Sequence, residues 1–168
     1  MAKKSLFCFC VLIIFVCLLQ VALFPYGRDQ AIYSVVASTI LKGGAPYKDA
    51  WDFKPPAIYF FYAVAKMLFG DSMQAIRLIE ALCFSSLALA FSLFCKRLCI
   101  PWPLGIIGFA VAIFNHVRLD FWDTGQPESF GGILVIWALF CVTYQPEKNT
   151  KRENLKLSLA WFLGSIAF

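Results

Sequence analysis

Apolar residues come in long runs along this chain, broken by short polar stretches, and the run lengths set the first expectations. Residues 6–24 carry almost no polar side chain and follow Lys3 and Lys4. At 1.5 Å of rise per residue, a helix of that length crosses about 30 Å of hydrocarbon. The run is longer than a signal-peptide core of roughly 7 to 15 residues and lacks a small-residue cleavage site, so it reads as a retained anchor. Residues 73–95, 103–117 and 129–144 repeat the pattern, and a fifth run opens near Leu157. Between the first two runs the period changes. Asp29 heads a stretch with Ile32, Val36 and Ile40 on one helical stripe, which stops at Gly43 and Gly44, where a left-handed cap forms easily. A further apolar run at 57–69 carries Lys66 and reaches only about 20 Å as a helix, short for a crossing.

Charge decides how that short run lies. If 57–69 rests flat along the surface, then Lys3, Lys4, Lys96, Arg97, Lys148, Lys151, Arg152 and Lys156 all share one side of the membrane, with Glu147 and Glu153. If it crosses, Lys96, Arg97 and the whole 148–156 cluster move to the exported side, against the tendency of short cytoplasmic loops to hold the Lys and Arg. The flat reading makes 25–72 one extracytoplasmic segment with two interfacial helices. It also returns the stretch 115–128 to the same side, so both polar regions face one compartment.

Composition agrees with a membrane chain: 61% hydrophobic, 17% aromatic and a mean hydropathy of +0.73 leave too little polar surface for a soluble domain of this length. The net charge of +5 does not point to nucleic acid, because the basic residues are dispersed or gathered at the cytoplasmic face. The seven cysteines fall in apolar runs or near that face, which argues against a disulfide framework, and no zinc spacing occurs around them or around the single histidine.

Several polar residues allow two readings each. Asp29 suits a helix N-cap, and it equally suits a general base, an exposed carboxylate held at the membrane surface. Lys54, ahead of Pro55 and Pro56, is either a snorkelling lysine or a point charge for a lipid phosphate at headgroup depth, with Arg28 a weaker candidate for the same task. Lys48, Asp49 and Asp52 pair among themselves in the bland reading. Pro127 and Glu128 fit the first turn of a helix, where the acid meets the positive end of the dipole. Arg77 and Glu80, at i and i+3, are expected to pair, while His116 and Arg118 read as interfacial structure.

In order, Asp29, Gly43–Gly44, Pro46–Tyr47, Asp49, Trp51–Asp52, Lys54–Pro55–Pro56 and Phe69–Gly70 resemble the first extracytoplasmic loop of the GT-C membrane glycosyltransferases, above all the dolichyl-phosphate-mannose protein mannosyltransferase-like families. The resemblance implies an all-α, polytopic transmembrane bundle of GT-C type with interfacial helices in that loop. It implies transfer of a sugar from a polyprenyl-phosphate donor to a lipid, glycan or protein acceptor. The acidic position matched by Asp29 would be the base or a ligand of a metal or acceptor, and a divalent metal is compatible although no second ligand is assigned. Glu128 matches the acidic residue at the head of the fourth span, with Asp123 a second candidate in that cluster. Lys54 matches the lysine associated with the carrier phosphate in the lipid A aminoarabinose transferases. The expected location is the bacterial inner membrane, N-terminus cytoplasmic and active face outside. Because family members have more spans, the resemblance further implies an N-terminal portion of such an enzyme. The rivals are a noncatalytic transporter module, an assembly subunit or an inactive truncated product. A transporter would place its ionisable groups in mid-span, whereas here they gather at one interface.

Overall fold

The computed structural model describes residues 2–143, 155–156, 158–160 and 162–164. Most of the polar stretch 145–156 and part of the fifth apolar run therefore lie outside the described residues. The named elements are α1 (Ala2–Leu23), α2 (Arg28–Leu41), α3 (Ala57–Phe69), α4 (Met73–Arg97), α5 (Trp102–Val117), α6 (Asp120–Asp123) and α7 (Pro127–Thr143). The fold is all-helical; among the described residues β-type pairing amounts to an isolated bridge between Pro46 and Ala50.

Local chemistry accounts for the helix ends. At the end of α2, Gly44 N–H donates to Thr39 O at 2.9 Å and Gly43 N–H to Ile40 O at 2.9 Å, with Gly43 at φ +87. This pairing satisfies the last carbonyls only if the chain turns left-handed, which glycine does without steric cost. The start of α2 departs from expectation. Gly27 occupies the N-cap, and no side chain caps the helix. Asp29 instead sits inside the first turn, where its charge meets the dipole without capping it.

Lys4–Leu23 and Met73–Arg97 are long and apolar enough to cross a membrane. In the most apolar windows of the two, only 17% and 28% of residues are buried, whereas the core helix of a water-soluble protein would be mostly covered. Three shorter apolar helices accompany them, Ala57–Phe69, Trp102–Val117 and Pro127–Val142.

Two apolar clusters divide the molecule. One, around Cys17, Val21, Phe84, Leu87, Phe109, Ile113 and Ile133, joins α1, α4, α5 and α7 and takes nothing from α2 or α3. The other, around Tyr33, Val36, Ile58, Tyr59, Tyr62 and Ala63, joins α2 and α3 and reaches the bundle through Ala75 and Ile76 of α4 and Phe130 of α7. Those three lie in the opening turns of their helices. The pair α2–α3 thus forms a cap over one end of the bundle.

The polarity of α3 is inverted relative to a helix of a soluble protein. Its inward face carries Tyr59, Tyr62 and Lys66, all buried, while Phe60, Val64, Met67 and Leu68 point outward at 51%, 47%, 72% and 64% exposure. The outward residues recur at i, i+4, i+7 and i+8, one continuous apolar stripe. Lys66 does not snorkel outward; its ammonium lies 2.7 Å from Asp71 and 2.6 Å from the Ser38 hydroxyl.

Candidate functional site

The loop 42–56 is held in one shape by its own polar groups. Asp49 accepts from Ala45 N–H at 2.8 Å, and Tyr47 N–H donates to Ala50 O at 2.8 Å. The surface pairing expected among Lys48, Asp49 and Asp52 is not what forms. Asp49 closes its own turn, and Asp52 is buried, accepting from the Tyr59 hydroxyl at 3.0 Å. Exposure alternates along 51–53, so neighbouring side chains turn to opposite sides. Trp51 and Phe53 stand out at 76% and 81% exposure while Asp52 turns in. Two phenols stand at the Lys54 carbonyl: it accepts from Tyr47 at 2.6 Å, and the Tyr59 hydroxyl, whose one proton is shared with Asp52, lies 3.1 Å away.

The second polar segment, 119–126, is fastened to the first by buried side chains. The Gln30 amide nitrogen lies 2.8, 2.9 and 2.7 Å from the carbonyl oxygens of Phe121, Trp122 and Thr124, three acceptors that share its two hydrogens. Tyr33 donates to Gln126 Oε1 at 2.7 Å, and Tyr62 to Gly125 O at 3.0 Å. Gly125 has φ +67, and a Cβ there would stand 2.8 Å from Arg77 Nη1 and 3.2 Å from the Tyr62 hydroxyl, so the position admits only glycine without displacement.

Beneath both segments lies a buried ionic group. Arg77 pairs with Glu80 at 3.0 Å, as the i, i+3 spacing suggested, and both side chains are fully buried. The guanidinium also reaches Pro25 O at 2.8 Å, Thr124 Oγ1 at 2.9 Å and Phe121 O at 3.2 Å. Glu80 Oε1 accepts from Gly125 N–H and lies 3.0 Å from His116 Nε2. His116, in the last turn of α5, is buried, stacked on Phe84 and 3.0 Å from Glu80. This group grips the chain on both sides, at Pro25 just before α2 and at 121–125 just before α7.

The residues singled out from sequence come to the same end of the bundle in unequal settings. Lys54 Nζ and Glu128 Oε1 approach to 3.5 Å, with the lysine side chain mostly covered at 22% exposure and the carboxylate open at 73%. Arg28 and Asp29 approach to 3.7 Å on an open surface, a pair worth little. Asp123 closes α6 and is exposed. Tyr33 is covered and feels the charge of three carboxylates. Burial pushes its phenol above the ordinary value, and the negative charges of Asp29, Asp52 and Glu128 push it further, one acid from each of three separate segments. Tyr59 is raised as well, by burial first and then by its bond to Asp52.

Among the described residues, no three His, Cys, Asp or Glu side chains are gathered as a metal site. The carboxylates here do not form a ligand set, and no step is assigned to a metal. The arrangement can hold an anion at Lys54 and can offer an exposed carboxylate, Asp29 or Glu128, to an incoming hydroxyl. Sequence reasoning missed Gln30, Tyr33, Tyr59 and Tyr62. Their spacing along α2 and α3 was visible, but an aromatic at helical spacing carries no signal that its hydroxyl is committed to a distant loop. Comparison with family models, with curated proteins and with solved structures finds no match.

Proposed function

We propose that this chain forms the acceptor and donor end of a membrane glycosyltransferase of the GT-C type, acting at the extracytoplasmic surface on a sugar carried by a polyprenyl phosphate. The observation that carries the reading is the meeting of two polar segments far apart in sequence: Lys54 stands opposite Glu128, and Gln30, Tyr33 and Tyr62 bond to the stretch 121–126. The flat placement of α3 is supported by the continuous apolar stripe it turns outward. A stripe of that kind, backed by an inward tyrosine face, suits the boundary between headgroups and acyl chains.

In this reading the acceptor oxygen attacks the anomeric carbon as the bond from that carbon to the phosphate oxygen breaks. The phosphate leaves with the electron pair, and Lys54 offsets its charge. The acceptor proton passes to Asp29 or Glu128. The two phenols at the Lys54 carbonyl fix the backbone from which the cation reaches out. The transporter reading gains something from Arg77, Glu80 and His116, which are charged or titratable and buried in α4 and α5. Their bonds, however, run to the backbone of two loops, a use that leaves little for a passing ion.

The test is sugar transfer by the full-length protein in vesicles supplied with a labelled polyprenyl-phosphate sugar. Asp29→Asn keeps the size of the side chain and, because Asp29 makes no cap, should accumulate normally while transfer falls by about 10² to 10⁴. Glu128→Gln in parallel shows whether the second carboxylate shares the proton. Full transfer by both variants sinks the assignment of the base to this cluster.

A further inference from the structure

At the end of the bundle away from the cap, three helix ends meet around a hollow. The last turn of α4 packs on the first turns of α5, since a Cβ on Gly105 would stand 2.9 Å from Cys95 Sγ. The start of α1 joins them through Phe7, whose ring meets Trp102 edge-on at 5.5 Å. Between α1 and α5 lies a cavity of about 630 Å³, with Leu6, Phe7 and Cys10 on one wall, Trp102 and Leu104 on the other, and Lys4 as the charged residue among them. That volume is in the range of small-molecule sites, about 300 to 1,000 Å³. Leu6, Trp102 and Leu104 are 50%, 59% and 53% exposed, so the cavity is open along one side. Pro103, at the second position of α5, brings no N–H, which leaves one orphan donor fewer against this apolar wall.

Charge at this end has one sign. Lys96 and Arg97 close α4 and Lys4 opens α1, all three exposed, and residues 2–24 and 81–119 contain neither Asp nor Glu. The dipole of α4 accounts for cations in its last turn, but at the start of α1 the dipole disfavours one. Lys4 thus stands where helix stability would not put it, at the wall of an apolar cavity, with the amphipathic ring of Trp102 across from it. Basic residues around a hollow between helices suit an anionic lipid headgroup. We propose that the cavity takes one acyl chain of an anionic diacyl phospholipid from the leaflet opposite the cap, with its phosphodiester held by Lys4 in the field of Lys96 and Arg97. Such a lipid fills the space that α1 and α5 leave open and offsets the like charges gathered there. The stretch of α4 from Arg77 to Cys95 puts about 27 Å of helix between this site and the cap, so the inference does not rest on the glycosyltransferase reading.

Native mass spectrometry of the full-length protein released from nanodiscs tests both halves, by comparing retention of phosphatidylglycerol with that of phosphatidylcholine carrying the same acyl chains. Phosphatidylglycerol should be retained in preference, and Lys4→Ala should reduce the preference about fivefold, the effect of one basic residue near an anionic surface. Adding Lys96→Ala and Arg97→Ala should reduce it further. Leu104→Trp narrows the cavity from an exposed position, so it should weaken both lipids alike and keep the preference between them. Equal retention of the two lipids by the parent protein overturns the anionic site, as does a preference unchanged in Lys4→Ala. Retention unchanged in Leu104→Trp overturns the seating of the chain in the cavity. Absence of any retained lipid overturns the proposal as a whole, and a lower unfolding temperature in Leu104→Trp would then assign the cavity to a protein segment.

Discussion

The cap made by α2, α3 and residues 119–126 differs from the bundle of α1, α4, α5 and α7 in what holds it. In the bundle, Val21, Phe84, Leu87 and Ile113 meet other apolar side chains, and a polar contact such as Trp137 Nε1 to Ser86 Oγ at 3.0 Å is an addition to packing. In the cap, Tyr33, Tyr59, Tyr62 and Gln30 are buried beside Val36 and Ile58 and bond across to other segments, while Arg77 and Glu80 of α4 reach over from the bundle to 121–125. A bundle in lipid gains little from burying apolar surface, because the acyl chains are as apolar as leucine, so it relies on shape. A cap at the membrane surface can use directional bonds, and these fix functional groups more tightly than shape alone.

The largest expected effect comes from the joint between the two regions. Arg77→Met strands the Glu80 carboxylate in a buried site and should destabilise the protein by about 3–5 kcal/mol, measured as thermal unfolding in detergent. Cleavage by protease should appear first within 119–126, the segment Arg77 holds. Replacing both partners, as Arg77→Met with Glu80→Leu, should recover part of the loss. Uniform loss with no preferential cleavage would mean the joint belongs to the bundle, and the distinction between regions would fail.

A pair of truncations of matched chemistry sharpens the contrast next. Ile58→Ala in the cap should cost about 2–5 kcal/mol, the sum of lost transfer energy and a cavity. Ile113→Ala in the bundle should cost less, since lipid replaces water as the alternative surroundings and mainly the cavity part remains. Equal losses would place both clusters in the same solvent.

The smallest effect is a titration. The Lys66 ammonium holds the Asp71 carboxyl below its ordinary value of 3.8, by hydrogen bond first and by charge second. A carboxyl lowered in the folded state adds stability above its ordinary value, and that contribution is lost as pH falls through the lowered one. The unfolding midpoint should therefore drop below about pH 4, and Asp71→Asn should flatten that drop. A drop that survives the substitution would assign the acid response to other carboxylates.

The helices were legible where their signals are local. The run 57–69 coincides with α3, 103–117 with α5 to within one residue, and the stop at Gly43–Gly44 is the observed end of α2. The four-residue α6 was not legible, because so short an element has no period. The two polar segments were visible as segments, and so were Lys54 and Glu128 as charges, but their approach was not. That approach depends on Gln30, Tyr33 and Tyr62 bonding to residues far along the chain. The bond of His116 to Glu80 was hidden for a related reason, since it joins residues 36 apart on two helices. Asp52 escaped because alternation along 51–53 is too short to read as a pattern against a charged neighbourhood.

The long reach of the Gln30 amide has a consequence in time. Its acceptors at Phe121, Trp122 and Thr124 follow it by 91, 92 and 94 residues, and the partners of Arg77 at Thr124 and Phe121 follow by 47 and 44. During synthesis α4 therefore emerges carrying Arg77 and Glu80 with only each other and Pro25 for company. An oppositely charged pair one turn apart is suited to that interval, since each member lowers the cost of the other while the remaining donors and acceptors are still unmade. The site would then close in a single late event, when the stretch ending at Gln126 folds back over a cap that has been waiting for it.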